Sequence, residues 1–221
     1  MAHSQTTIYF FAGQGSDKRI FDSLDIDPKF KKIFIEYPVP KRGTSLKQFA
    51  KELSVQIDTT QPFILLGVSL GGMICCEMTE YLHPQKVIII SSAKTRKELP
   101  FRYKFQRYIP LYAILPAIVL RGGAKLMQPI VEPDRNKNKK TFKAMLHDKK
   151  PKFIKRTIRM IVNWKKKESS TNIYHIHGTK DHTLPYRKLK NIDYTISKGS
   201  HMMTLTRAEE ISKVFEQILE K

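Results

Sequence analysis

The stretch Pro62 to Gly72, "PFILLGVSLGG", contains Gly67-Val68-Ser69-Leu70-Gly71, the pattern G-x-S-x-G. A serine hydroxyl becomes a useful nucleophile only when a base takes its proton, and the base needs an acid to hold it in the right tautomer. Two later stretches supply those residue types. "NIYHIHGTKDHTLP" carries Asp181 just past an apolar run, and "IDYTISKGSHMM" carries His201 in the corresponding place after the next run. Ser69, Asp181 and His201 are therefore the candidate nucleophile, orienting acid and general base of an acyl transfer. The five-residue pattern alone also fits an ordinary serine in a glycine-rich turn. An acid and a histidine in matching loops separate the two readings. Asp193 is the weaker acid, because it opens a run instead of following one.

These side chains have to be brought together by the elements around them. Runs rich in β-branched and aromatic residues occur at Thr7–Phe11, Lys32–Glu36, Pro62–Leu66, Val87–Ser91, Asn172–His177 and Ile192–Ile196. Their nearly continuous apolarity predicts strands buried on both faces. Amphipathic stretches at Ser16–Leu24, Ser45–Ile57 and Leu70–Leu82 alternate with the early runs, which is the rhythm of a parallel sheet covered by helices. The carboxyl ends of such strands are where ligand chemistry gathers, and Ser69, Asp181 and His201 all lie just past strand ends. The chain closes with a helix whose face is Ile211, Val214, Phe215, Ile218 and Leu219, with Thr206 and Glu209 spaced as a capping box.

Between Ser91 and Asn172 the strand rhythm stops, and the stretch is too long for a simple connection. It reads as an inserted helical cap, residues 94–168, on a core of 1–93 and 169–221. The formal charge of +20 is concentrated there, with 22 Lys/Arg against 5 Asp/Glu, a net of +17. Phe153, Ile154, Thr157, Ile158, Ile161 and Val162 fall on one helical face, with Lys152, Lys155, Arg156 and Arg159 mostly opposite. "YIPLYAILPAIVL", Tyr108–Leu120, either lines an apolar acyl site or forms the cap's own core, and the second is favoured. Val131–Lys140 reads as a mobile loop, and Glu98, Glu132 and Asp134 as solvated or ion-paired. The charge fits either an acidic partner or a solvated face.

The strand, the Ser69 turn, the helix after it, and the order serine, acid, histidine resemble the α/β-hydrolase family over nearly the whole chain. The resemblance implies an α/β three-layer sandwich: a mostly parallel six-stranded sheet, helices on both faces and a helical cap insertion, lacking the family's first two edge strands. It implies an oxyanion hole from the backbone NH groups of Leu70, after the nucleophile, and of Gln14 in "FFAGQGSD". That loop has Ala12-Gly13 where His-Gly is common. The implied activity is hydrolysis of a carboxylic ester or thioester through an acyl-enzyme on Ser69, with no metal or organic cofactor. Members with an aspartate nucleophile are disfavoured because this turn carries serine.

Rival readings explain less. "GQGSDK" followed by Glu36 partly matches a dinucleotide fingerprint, but Lys18 stands at the third glycine and the three candidate residues are left over. His175, His177, Asp181 and His182 have no recognised metal spacing. His177 reads as packing, and His3, His83 and His147 as surface or helix-end residues. A catalytically silent scaffold of the same fold stays open. Expected partners are a small ester or thioester, with an acidic carrier protein or an anionic membrane surface at the cap. No zinc-finger spacing or RNA-binding aromatic motif is present, so no specific nucleic acid is expected. Adjacent Cys75 and Cys76 read as reduced core residues. With no signal-peptide pattern and no apolar run long enough to span a bilayer, a cytoplasmic protein is expected.

Overall fold

The computed structural model describes residues 5–132, 138–170 and 172–221. Six strands, β1 (Thr7–Phe11), β2 (Lys31–Phe34), β3 (Phe63–Val68), β4 (Lys86–Ile90), β5 (Ile173–Gly178) and β6 (Tyr194–Ile196), form one sheet in the order β2-β1-β3-β4-β5-β6. Every pairing is parallel, with Phe11 opposite Gly67 and Val68 opposite Ile90, so the carboxyl ends are level.

Alternate strand residues face opposite sides of the sheet, and both sides are covered. Tyr9, Phe11, Leu65 and Ile89 pack against α2 (Leu70–Met78) and share one core cluster with α1 (Leu46–Ser54) and α7 (Pro151–Val162). Ile8, Phe10, Leu66, Ile88 and Ile176 pack against α9 (Ala208–Glu220) and the short α8 (Met203–Thr206). This two-sided burial of β1, β3, β4 and β5 is why they read as continuous apolar runs instead of alternating ones. The edge strands depart from expectation: β2 is exposed or half-buried throughout, and β6 buries only Ile196. Helix α1 starts at a capping box: Ser45 Oγ accepts from Gln48 N at 3.2 Å and Gln48 Oε1 accepts from Ser45 N at 2.9 Å.

Two expected helix features are corrected. Ser16–Leu24 forms only a four-residue 3-10 turn, Lys18–Phe21, closed by the Asp17 carboxylate, which accepts from both Arg19 N and its guanidinium. Asp22, Ser23, Asp25 and Asp27 follow, residues whose side chains compete with helix hydrogen bonds. Thr206 does not cap α9 either. It ends α8, Arg207 N closes on Met203 O at 2.7 Å, and Glu209 pairs with Lys213 at 2.9 Å.

Residues 94–168 are helical, with α3 (Phe101–Phe105), α4 (Leu111–Ile114), α5 (Ala117–Val131) and α6 (Lys139–Asp148) preceding α7. Helix α7 buries Phe153, Ile154, Thr157, Met160, Ile161 and Val162 and exposes Lys152 and Arg159, the basic amphipathic helix expected. The run Tyr108–Leu120 does not line the cavity at Ser69 and forms little core. Only Tyr112 is buried there: α7 carries the buried apolar face of this segment, and α4 and α5 pack on α7 as an outer tier. Of the expected loop Val131–Lys140, Val131 ends α5 and Lys139 begins α6, while residues 133–137, with Asp134, lie outside the described residues. Glu98 and Glu132 are buried, not solvated. No helix among the described residues is long and apolar enough to cross a membrane.

Candidate active site

Strand β1 lies between β2 and β3, so the chain leaves the carboxyl ends of β1 and β3 in opposite directions. This opens a crevice, the switch point at which parallel sheets bind ligands. The loop after β1 brings Gln14 to it, and the turn after β3 brings Ser69.

Ser69 has φ 54° and ψ −116°, a left-handed conformation that costs a non-glycine residue energy and has to be held by its surroundings. They are specific. Ser69 N donates to Ile90 O at 3.0 Å, and Ser92 Oγ donates to Ser69 O at 2.7 Å. Two glycines make the close approach possible. A Cβ on Gly67 would stand 2.4 Å from the Gly71 backbone, and one on Gly71 only 2.0 Å from Phe11 O. The turn thus lifts Ser69 above the strand ends, with α2 beginning at Leu70.

Asp181 follows β5 and His201 follows β6, and the structure brings both to Ser69. His201 Nε2 is 2.9 Å from Ser69 Oγ, and His201 Nδ1 is 2.8 Å from Asp181 Oδ2. Asp181 Oδ1 is occupied, accepting from Thr183 N and Leu184 N at 2.8 Å each. Burial would raise the Asp181 carboxyl, but the charge and hydrogen bond of His201 and the neighbouring donors outweigh it and hold it below the usual value. Burial likewise pulls the imidazole of His201 down, while Asp181 and, less strongly, Glu132 push it above the ordinary histidine value. An ionised Asp181 fixes His201 Nδ1 as the protonated nitrogen and leaves the Nε2 lone pair to accept from Ser69 Oγ–H.

In the loop before His201 a positive φ, 55°, falls on Lys198. Met203 is fully buried and Met202 lines the cavity, so both pack the loop that carries the imidazole.

The remaining candidates divide cleanly. Gln14 lines the cavity beside Ser69, its side chain anchored to α7 by donation to Thr157 Oγ1 at 2.8 Å and Ile154 O at 3.2 Å. Leu70 opens α2, so its NH has no carbonyl within the helix to bind. Asp193 lies elsewhere, accepting from His175 N at 2.8 Å with Lys94 at 3.8 Å. His177 is buried beneath Asp181, its Nε2 2.8 Å from Leu184 O and 3.3 Å from the carboxylate. His175 and His177 stand edge to face, and no group of three or more potential metal ligands occurs among the described residues. His83, His147 and His182 are not buried, and His3 lies outside the described residues. The dinucleotide reading loses its support, because a 3-10 turn stands where that site needs a helix N-terminus. Cys75 and Cys76 are free and buried in α2, and burial pushes both thiols up, Cys76 to about 12.

Glu132, just past the end of α5 and expected to be solvated or ion-paired, belongs to the site. It is 2% exposed, lines the same cavity as Ser69 and His201, and accepts from Met202 N at 3.2 Å. Burial raises its carboxyl to about 7, against the lowering effects of His201, the Ser200 hydroxyl and Met202 N. No local pattern marks it, since a polar stretch follows it directly and its partners lie 68 to 70 residues away.

The cavity holds about 180 Å³, floored by Ser69 and His201 and walled by Met73, Tyr103, Leu146 and Ile161. Helices from residues 94–168 therefore contribute to it.

The chain has the α/β-hydrolase fold, shared with solved structures over nearly its whole length. A thermophilic esterase from Thermogutta terrifontis matches with TM-score 0.77 and 14% identity, over 97% of this chain and 89% of that one. The enol-lactonase from Burkholderia xenovorans LB400 matches with TM-score 0.76 and 12% identity, over 99% and 92%. Est816, an N-acyl homoserine lactone degrading enzyme, matches with TM-score 0.69 and 15% identity, over 96% and 92%. No protein-family model and no curated protein sequence matches the chain.

Proposed function

We propose that this chain is a serine hydrolase that cleaves a carboxylic ester or thioester of a small acyl group through an acyl-enzyme on Ser69. The observation that carries the reading is the unbroken relay Asp181–His201–Ser69, with steps of 2.8 and 2.9 Å, on the wall of a cavity.

In this reading Ser69 Oγ bonds to the substrate carbonyl carbon as its proton passes to His201 Nε2. The imidazolium so formed is stabilised by Asp181. The tetrahedral oxyanion is held by the backbone NH groups of Leu70 and Gln14, each such donor contributing roughly 3 kcal/mol. Collapse expels the alcohol or thiol, which takes the proton from His201. Water then attacks the acyl-enzyme by the same route and releases the acid. Residues 94–168 act as the cap that closes the acyl side. The cavity is smaller than the roughly 300–1,000 Å³ of sites for drug-sized ligands, which favours a short acyl group over a long chain. A lactone ring contains the same ester bond, and the likeness to two lactone-cleaving enzymes makes lactones part of the substrate class to test. Two buried, unpaired thiols suit a reducing compartment such as the cytoplasm.

The test combines covalent labelling with turnover. A fluorophosphonate should label the folded protein at Ser69 and lose the label in Ser69→Ala. Among p-nitrophenyl esters, acetate and butyrate should be turned over faster than decanoate. No labelling and no turnover of any ester, thioester or lactone in the panel would leave a silent scaffold as the better description.

A further inference from the structure

The outer tier of helices carries two features that catalysis does not use. The first is a groove of about 520 Å³ between the loop Lys41–Thr44 and helices α4, α5 and α7. Six cationic side chains line it, Lys41, Arg42, Lys152, Lys155, Arg156 and Arg159, and no carboxylate does. None of the six forms an ion pair with a described residue. Lys155 donates to Ala113 O and Leu115 O, and Arg156 to Pro40 O, which fixes the groove's walls and leaves the other four exposed.

The second feature begins at the groove's edge. Tyr112, Ala113 and Ala117 line the groove, and next to them on α4 and α5 the aliphatic side chains are out in water: Ile114 is 81% exposed, Ile118 68% and Leu126 79%. On α5, Ile118, Gly122 and Leu126 form one row at four-residue spacing, with Val119, Gly123 and Met127 beside it. Nothing lies within 4 Å of a Cβ built on either glycine, so the row is open along its length. Such a contiguous apolar stripe is uncommon on a free surface and marks a contact.

We propose that this face docks on an anionic phospholipid bilayer, the groove taking lipid phosphate groups and the α4–α5 stripe entering the acyl boundary. Charge selects this occupant. A second copy would bring the same cations face to face across the stripe, and like charges disfavour that pairing. A free phosphate would use the cations and leave the aliphatic row in water. A phospholipid surface offers negative charge and hydrocarbon side by side, the combination that interfacial helices read. Ala124, on the same helix as the stripe, lines the cavity over Ser69, so docking would set the cavity's α5 wall against the lipid.

The docking is independent of the chemistry at Ser69, and the test keeps them apart. Flotation with vesicles of pure phosphatidylcholine and of phosphatidylcholine containing about 30% phosphatidylserine, at physiological ionic strength, should show binding to the second only. Each Lys or Arg near an anionic surface contributes a factor of about five in partition. K152S/R159S should therefore bind about 25-fold more weakly, and I114D/I118D should lose binding. K213S/K221S, equal in charge loss but on the α9 side across the sheet, should stay within about threefold of the parent. Ser69→Ala should bind as the parent does. The side chains changed in the three double variants are on the surface, and unchanged melting temperatures would show that folding is kept. Equal binding to both vesicles, undiminished binding by I114D/I118D, or an equal loss in the α9 variant would each overturn the proposal. So would competition by millimolar inorganic phosphate, complete dimerisation through the stripe, or binding only to an acidic carrier protein.

Discussion

Replacing Asp181 by asparagine changes one atom of the relay, and the hydrogen bonds around that atom dictate the consequence. The carboxylate's two oxygens have different company: Oδ1 accepts from Thr183 N and Leu184 N, and Oδ2 faces His201 Nδ1. An asparagine amide can keep the first set only by pointing its oxygen at the two backbone NH groups, because the opposite orientation would set an NH2 against two donors in a site that is 4% exposed. The amide nitrogen then faces His201 Nδ1 and donates to it. The imidazole proton is forced onto Nε2, which can no longer accept from Ser69 Oγ–H. A triad locked in the wrong tautomer loses about 10^4 in kcat, equivalent to about 5.5 kcal/mol of transition-state stabilisation. The two backbone hydrogen bonds survive, so the variant should fold. The assay is steady-state hydrolysis of p-nitrophenyl acetate over about pH 5 to 9, with the fluorophosphonate labelling rate as an independent measure and circular dichroism for folding. A folded Asp181→Asn enzyme within tenfold of the parent at every pH would refute the tautomer reasoning and with it the role given to Asp181.

Neighbouring groups and the packing beneath the site set the remaining outcomes. Ionised Glu132 helps raise His201, so Glu132→Gln should shift the acid limb of the kcat/KM profile to lower pH; a shift upward or none would contradict the coupling. The same carboxyl is raised from 4.5 to about 7 in the folded state, so it binds its proton more tightly folded than unfolded. Its contribution is therefore intact below pH 4.5 and is lost as pH rises through about 7, which makes Glu132→Gln more stable than the parent at about pH 8 by up to about 3 kcal/mol and little different at pH 4.5, as urea unfolding at both pH values would measure. Gly71→Ala would drive a methyl group into Phe11 O and should cost about 3 kcal/mol or prevent folding, read from the same unfolding curves. Trp164→Phe removes the 2.6 Å bond from Trp164 Nε1 to buried Glu77 and should cost about 2 kcal/mol in thermal unfolding, without changing kcat on a small ester.

The three candidate catalytic residues were legible because each lies at a predictable place along the chain, just past a run that could be recognised as a buried strand. Parallel strands with level ends then put Ser69, Asp181 and His201 together at the carboxyl end of the sheet, although 132 residues separate the first from the last. The sheet itself was legible for the same reason, since burial on both faces leaves nearly unbroken apolar runs. The early helix and the Thr206 capping box misled, because side-chain spacing alone does not reveal that Asp17 closes a single turn or that Thr206 belongs to the turn before.

Residues 94–168 divide differently. Their helical character and positive charge follow from composition and from the 3.6-residue period of α7. What only the tertiary structure decided is which apolar side chains that segment hides and which carboxylate it hands to the site. Because α7 carries the buried face and α4 and α5 pack on its outside, these two helices form a second tier, and Ile114, Ile118 and Leu126 remain in water. Glu132, just past α5, is meanwhile carried down beside His201. Local sequence records the periodicity of a helix, whereas burial in an outer tier depends on what has already been packed beneath it.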